Sequence, residues 1–377
     1  GGDIINFGNY YTKSGNITMT SHDDVLNYGV MEAVTGDISI ISTDGVIFNE
    51  SGADLLSGNG NVTLRAESTN GYYYYFDAQG VLHELTDASA LKLNDYGEYV
   101  VQINDNTYYP ALKNGSVFNA GDIMAMGGTI TLEAVKGNLT NYDDFNTLST
   151  DNPNSFANTY KGKAIATGNI DFKAVNGHLY NEKDLESGEN ISLTAAEGLT
   201  NFAYNVYAGK NITLTATTGD VVNTAVLESV YGDVKLVAEH GNVINGKASD
   251  LSSGDIVTLG GKVILQAGLS KEEAEAKHQA YDTNAYNVTN YGDIIAIGKM
   301  TKLSVNNGTI NASTVESNNT VTLADGTVKA GQVTAGKDIN ISGGTMNATN
   351  VNSGTTMDIT GGIINAANLN SGTTMHI

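Results

Sequence analysis

Short stretches in which every second residue is apolar recur along the chain, each opened by a polar residue that usually follows a glycine. They read Gly15-Asn16-Ile17-Thr18-Met19, Gly36-Asp37-Ile38-Ser39-Ile40, Gly60-Asn61-Val62-Thr63-Leu64 and Gly168-Asn169-Ile170-Asp171-Phe172. Further copies are Asn190-Ile191-Ser192-Leu193, Asn211-Ile212-Thr213-Leu214 and Gly232-Asp233-Val234-Lys235-Leu236. Alternation over four to six residues with β-branched side chains predicts half-buried strands, not helices. A second phrase, Gly-x-apolar-x-Asn, interleaves with the first. It ends at Asn6, Asn49, Asn141, Asn181, Asn223 and Asn245, with looser copies at Asn27, Asn201 and Asn290. The steps between these asparagines are 21, 22, 92, 40, 20, 22, 22 and 45 residues. One unit of roughly 20–22 residues, holding at least two short strands, indicates a solenoid.

Parity tells how the units stack. Residues two apart on a strand share a face, so the Asn of Gly-x-apolar-x-Asn points inward with its apolar partner. A buried amide without a partner costs about 1–3 kcal/mol. The partner available at that depth is the equivalent Asn one coil away, at about 4.8 Å. A ladder of Asn6, Asn27, Asn49, Asn141, Asn181, Asn201, Asn223, Asn245 and Asn290 therefore predicts parallel, in-register coils. The glycines are expected at positive φ, which they tolerate best. The fold class is all-β: a single-stranded, right-handed parallel β-helix. Without insertions, roughly 290 residues make about 14 coils, a monomeric rod of roughly 70 Å.

Four departures interrupt the period. Coils over 1–69 are followed by a tyrosine-rich insertion, 70–118, with Tyr72-Tyr73-Tyr74-Tyr75-Phe76, Tyr108 and Tyr109. The turn-like Asp77-Ala78-Gln79-Gly80 and the alternation of Glu98 to Ile103 predict β-hairpins standing off the rod, whose removal the coils should tolerate. Coils resume over 119–302, broken by a polar loop at 143–160 and a short helix within 270–285. Ser270 and Glu273 form a capping box for that helix, which is expected to cover a strand edge. From 303 to 377 the unit shortens to 17–18 residues, read as the same β-helix with tighter turns.

Composition agrees. Forty-four glycines, two prolines and no cysteine suit many short strands, and the lack of cysteine fits export through an oxidising compartment. The net charge is −22 and Arg65 is the only arginine, so nucleic acid and anionic membrane surfaces are not expected partners. No apolar run reaches the length of a membrane-spanning helix, and no signal peptide precedes Gly1. The chain starts and stops in mid-pattern and reads as a piece of something longer.

The Gly-Asn-Ile-Thr-Leu-Thr-Ala-type and Gly-Asn-Val-x-Asn phrases resemble the repeats of filamentous-haemagglutinin-like large exoproteins, the β-helical adhesins of two-partner secretion in Gram-negative bacteria. The 18-residue copies, such as Gly344 to Met357 and Gly362 to Met375, are also similar to passenger repeats of autotransporter adhesins. The resemblance implies secretion, display at the bacterial surface and adhesion. It implies an outer-membrane transporter during export and a receptor, protein or glycan, on host cells or other bacteria.

Little in the chain points to catalysis. His22, His83, His178, His240, His278 and His376 show no zinc-type spacing. The carboxylate pairs Asp23-Asp24, Asp143-Asp144 and Glu272-Glu273 fall in turns or on a helix face. No catalytic residue, metal site or cofactor is expected. A polysaccharide lyase or hydrolase is the alternative, since parallel β-helices host such enzymes, but binding an anionic polysaccharide needs cations, and one arginine in a chain of net charge −22 argues against it. Ice binding through Thr-x-Thr rows is a third reading, interrupted by Asp171, Lys235 and Ser39. Function is therefore expected in what protrudes. Tyr72, Tyr73, Tyr74, Tyr75, Tyr108 and Tyr109 are the candidate ligand-binding residues, because tyrosine offers a flat apolar face and a hydroxyl. The alternative, that one face of these tyrosines is the insertion's own core, stays open.

Overall fold

The computed structural model describes the chain except residue 1 and residues 69–72, 77–81, 86–87, 94–98, 105–106, 143–161, 248, 251–252, 262, 270, 280–285, 287, 297–301, 307–308, 318–319 and 324–325. The predicted polar loop, Tyr72 and Ser270 therefore lie outside the described residues, as do the side chains of Tyr108 and several strand residues between 302 and 317. The chain is a parallel β-solenoid of about 13 turns. It divides into two compact units, residues 1–186 and 187–377.

In the first unit each full turn contributes three strands, and equivalent strands stack in parallel. The first stack holds Ile4–Asn6, Val25–Asn27, Ile47–Asn49, Val117–Asn119, Leu139–Asn141 and Leu179–Asn181, each Asn opposite the next. The second holds Tyr10–Thr12, Met31–Ala33, Leu55–Ser57, Ile123–Ala125 and Lys163–Ala166. The third holds Ile17–Ser21, Ile38–Ser42, Val62–Ala66, Ile130–Ala134 and Ile170–Ala174. Alternate residues of the third stack, such as Ile38, Ile40, Leu64 and Phe172, fill the bore between the stacks. Val117 and Phe118, placed by the sequence in the insertion, belong to the coil, and Asn119 joins the ladder.

That ladder is continuous. Each Asn Nδ2 donates to the Oδ1 of the Asn one turn later: Asn6 to Asn27, Asn27 to Asn49, Asn49 to Asn119, Asn119 to Asn141 and Asn141 to Asn181, at 2.7–2.8 Å. The same nitrogen also donates to the carbonyl that turns the chain into the second stack, as from Asn27 to Gly29 O at 2.9 Å and from Asn119 to Gly121 O at 2.9 Å. The asparagine thus serves the column and the corner at once.

A second ladder explains the polar residue that opens the alternating phrase. Asn16 Oδ1 accepts the backbone N–H of Asp37 at 2.9 Å, Asp37 that of Asn61 at 2.7 Å, and Asn61 that of Thr129 at 2.9 Å. The glycines correct the sequence expectation. Among those of the two phrases only Gly15 has positive φ. The others are needed because turns approach closely: a Cβ at Gly177 would collide with the Gly137 carbonyl, and one at Gly36 with that of Gly15.

The second unit repeats the scheme. Leu199–Asn201, Val221–Asn223, Val243–Asn245 and Val288–Asn290 form the first stack, with Asn201 donating to Asn223 at 2.6 Å, Asn223 to Asn245 at 2.7 Å and Asn245 to Asn290 at 2.5 Å. Asn205–Ala208, Val226–Ser229, Ile256–Thr258 and Ile294–Ala296 form the second. Ile191–Ala195, Ile212–Ala216, Val234–Ala238, Val263–Ala267 and Lys302–Asn306 begin the third.

The shortened repeats continue the same register in a changed form. The nine-residue strand Thr309–Ser317 pairs with both Val288–Asn290 and Ile294–Ala296, so the corner between the first two stacks is gone. Thr327–Ala335, Thr345–Ser353 and Ile363–Ser371 follow at 18-residue steps. The ladder position passes from Asn290 to Ile310, Val328, Met346 and Ile364. With no corner carbonyl to hold, the amide gives way to aliphatic side chains.

The helix Lys271–Ala276 ends with His278 at φ 56 and a Gln279 N–H to Ala274 O bond, a Schellman-type stop. It lies on the outer face of the third stack, not along a strand edge. Ala274 is buried, Gln266 Nε2 donates to Glu273 at 2.7 Å, and Lys277 pairs with the buried Glu239.

Candidate binding surface at the tyrosine-rich insertion

Parity sends Val46, Phe48, Phe118 and Ala120 out of the bore, on the outer face of the first stack. They are nevertheless buried, Phe48 being 2% exposed and Phe118 1%. With Leu26 and Tyr142 they form a cluster outside the coil, against which Tyr28 and Tyr74 pack. The rings run as a column across successive turns: Phe7 on Tyr28 at 5.0 Å, Phe48 on Phe118 at 5.2 Å, and Phe118 on Tyr142 at 5.2 Å. Offset and tilted contacts of this kind add to the area the rings bury.

The described part of the insertion is two small antiparallel sheets. Tyr73–Phe76 lies between Leu82–Glu84 and Leu112–Lys113, and Tyr99–Asn104 between Leu91–Leu93 and Thr107–Pro110. The first sheet rests on the aromatic column through Tyr74, so the insertion is docked rather than standing off. Burial, with the carboxylates of Asp24, Glu84, Asp44 and Asp23 around it, pushes the Tyr74 phenol up to about 12. Tyr74 therefore stays a protonated donor within an acidic rim. Its tie to the coil is reinforced where the insertion rejoins it, Asn114 Nδ2 donating to Asp44 O at 3.0 Å.

The opposite face of the same strand carries the other candidates. Tyr75 is stacked on His83 (5.1 Å, 22°) and on Tyr109 (6.0 Å, 15°). All three rings are half-buried. The structure thus brings Tyr75 and Tyr109 together, adds His83, which the sequence did not single out as a site residue, and sends Tyr74 to the coil. Tyr73 is half-buried in the first sheet, and Tyr108 pairs in register with Gln102. With a neighbour on each side of Tyr75, the group offers ring edges, the Tyr109 and His83 outer surfaces and a hydroxyl, not one broad flat platform. Such edges and hydroxyls suit hydrogen bonding and partial stacking to a sugar or a peptide side chain. Pairing of Tyr75 with His83 follows from the two-residue alternation of both strands, yet only the register reveals it.

Among the described residues, no group of three or more His, Cys, Asp or Glu side chains is placed to hold a metal ion. Nor is any described helix long and apolar enough to cross a membrane. Compared with protein-family models, curated proteins and solved structures, the chain matches none.

Proposed function

We propose that the chain is part of a secreted or surface-displayed bacterial adhesin or exoprotein of the Gram-negative type. Its coils act as a stalk, and the tyrosine-rich insertion meets a receptor, protein or glycan, on host cells or other bacteria. An outer-membrane transporter serves its export, and the chain works as a monomer. The observation that carries this reading is the division of labour between coil and insertion. The inward asparagines and the polar residues at the coil corners are committed to neighbouring turns through ladders that repeat, whereas the insertion is an aromatic module of two small sheets docked on the coil through Tyr74. Modules held by a rigid scaffold are where binding residues concentrate.

The test is retention of the whole chain on cultured cells and on a glycan array, compared with His83→Ala and Tyr109→Ser. Both variants keep the Tyr74 anchor. Retention should fall at least about fivefold, as for loss of an aromatic anchor. Unchanged retention by folded variants would remove the insertion from the binding role.

A further inference from the structure

Three tyrosines of the second unit stand out by their exposure. Tyr231 is 80% exposed, Tyr204 60% and Tyr207 38%. Two of them sit where a corner has gained a residue. Gly209, Lys210 and Asn211 join Ala208 to Ile212, but in the next turn Val230, Tyr231, Gly232 and Asp233 join the equivalent Ser229 and Val234. Likewise Phe202, Ala203 and Tyr204 join Asn201 to Asn205, where the following turn uses only Thr224 and Ala225 between Asn223 and Val226. Both rings are exposed at these longer corners. Tyr231 is also flanked by glycines: its N–H donates to Gly209 O, and a Cβ at Gly260 in the next turn would stand 3.1 Å from its Cα. Neither neighbour has a side chain to cover the ring.

Tyr207 lies between them, outward on Asn205–Ala208, with Glu228 as its register partner one turn on. Tyr204 is three residues before it, and Tyr231 one turn up beyond the far end of the strand. Successive backbone positions are thus about 10 Å apart, the length of a disaccharide in an extended β-linked chain. The rings are separated by polar residues, not merged into the continuous apolar patch that marks a protein interface. Glu228 near the centre and a net charge of −22 disfavour acidic polymers. We infer that Tyr204, Tyr207 and Tyr231 form a glycan-binding row on the coils, taking a neutral β-linked oligosaccharide whose pyranose rings lie on the tyrosine faces. This site is separate from the insertion, and it stands whether or not the insertion binds anything.

The experiment is saturation-transfer NMR on the full chain with cellohexaose, chitohexaose and mannohexaose, each at millimolar concentration. Transfer to the ring protons of at least one sugar is expected. It should fall at least about tenfold in Tyr207→Ala/Tyr231→Ala, whose exposed positions leave the fold intact by circular dichroism, and persist in Tyr75→Ala. No transfer to any of the three sugars would overturn the inference. So would transfer undiminished in the double variant; its loss in Tyr75→Ala instead would assign sugar binding to the insertion and support the adhesin reading alone.

Discussion

A ladder asparagine has three jobs in one carboxamide. Asn223 accepts from Asn201, donates to Asn245 and holds the Ala225 carbonyl at 2.9 Å, with no exposed surface. Asn223→Ala strands a donor and two acceptors and should lower stability by about 1–3 kcal/mol in chemical denaturation. Thr213→Ser, on the half-exposed side of its strand, should stay within about 0.5 kcal/mol. Equal losses would contradict a working ladder. The ladder was legible because asparagine recurs at an inward position, where a lone amide has no other account. The glycine role was misread for a physical reason: a sequence shows that a Cβ is unwelcome, not whether φ or a neighbouring turn forbids it. A titration belongs to the same scale. His178 stacks on Tyr180 at 4.4 Å, and burial pulls its pKa down from 6.5 to about 4. The unfolded chain then binds the proton more readily, so stability is full above about pH 6.5 and falls as pH drops toward 4, by on the order of 1–3 kcal/mol. Half-buried Asp24, Asp171 and Asp255, whose carboxyls are held above their usual range mainly by desolvation, act in the opposite sense. Comparing wild type with His178→Phe across that window isolates the histidine; parallel pH profiles would refute its part.

Among the elements, the insertion is the one whose placement changes an expectation. Removing residues 71–115 should not leave a clean coil, because Leu26, Val46, Phe48 and Phe118 would lose their cover. Such a deletion is expected to self-associate in sedimentation velocity, and adding Phe48→Thr and Phe118→Thr should restore a monodisperse chain. A monodisperse deletion without those changes would mean that the cover is dispensable. In the intact chain Phe118→Ala should cost about 3–5 kcal/mol, while Tyr74→Ala should mainly speed limited proteolysis of the insertion. Alternation identified the first and third stacks, whose strands open with Gly-polar or close with Asn. The second stack escaped, since strands as short as Met31–Ala33 and Leu55–Ser57 carry no such phrase. Phe48 and Phe118 escaped too, because parity assigns them to solvent and only the docked sheet buries them.

For the molecule as a whole, repetition makes turns interchangeable where register is uniform. Thr327, Thr345 and Ile363 occupy one column at 18-residue steps. Excising 345–362 therefore joins Gly344 to Ile363 with every strand partner preserved. In a solenoid, stability is roughly a sum over turns and their interfaces. The shortened chain should keep its β-sheet circular dichroism and melt within a few degrees of the parent; loss of the cooperative transition would show that these copies are not equivalent. The tightening was visible as a shorter period. That it fuses two strands and retires the asparagine was not, because the corner's disappearance is a three-dimensional event.

The amide columns also have a direction. In each unit every ladder Nδ2 points to the later turn, and corner carbonyls such as those of Gly29, Gly121 and Ala225 pin that choice. Oxygen and nitrogen ends are therefore not interchangeable, although they have nearly the same shape. Hydrolysis of one ladder amide to a carboxylate, a slow form of chemical ageing, would replace a donor by an acceptor facing another acceptor. The column would be cut at a single atom without any change of volume. The durability of the fold over long times is set in this way by the least protected amide in the string, not by the average turn.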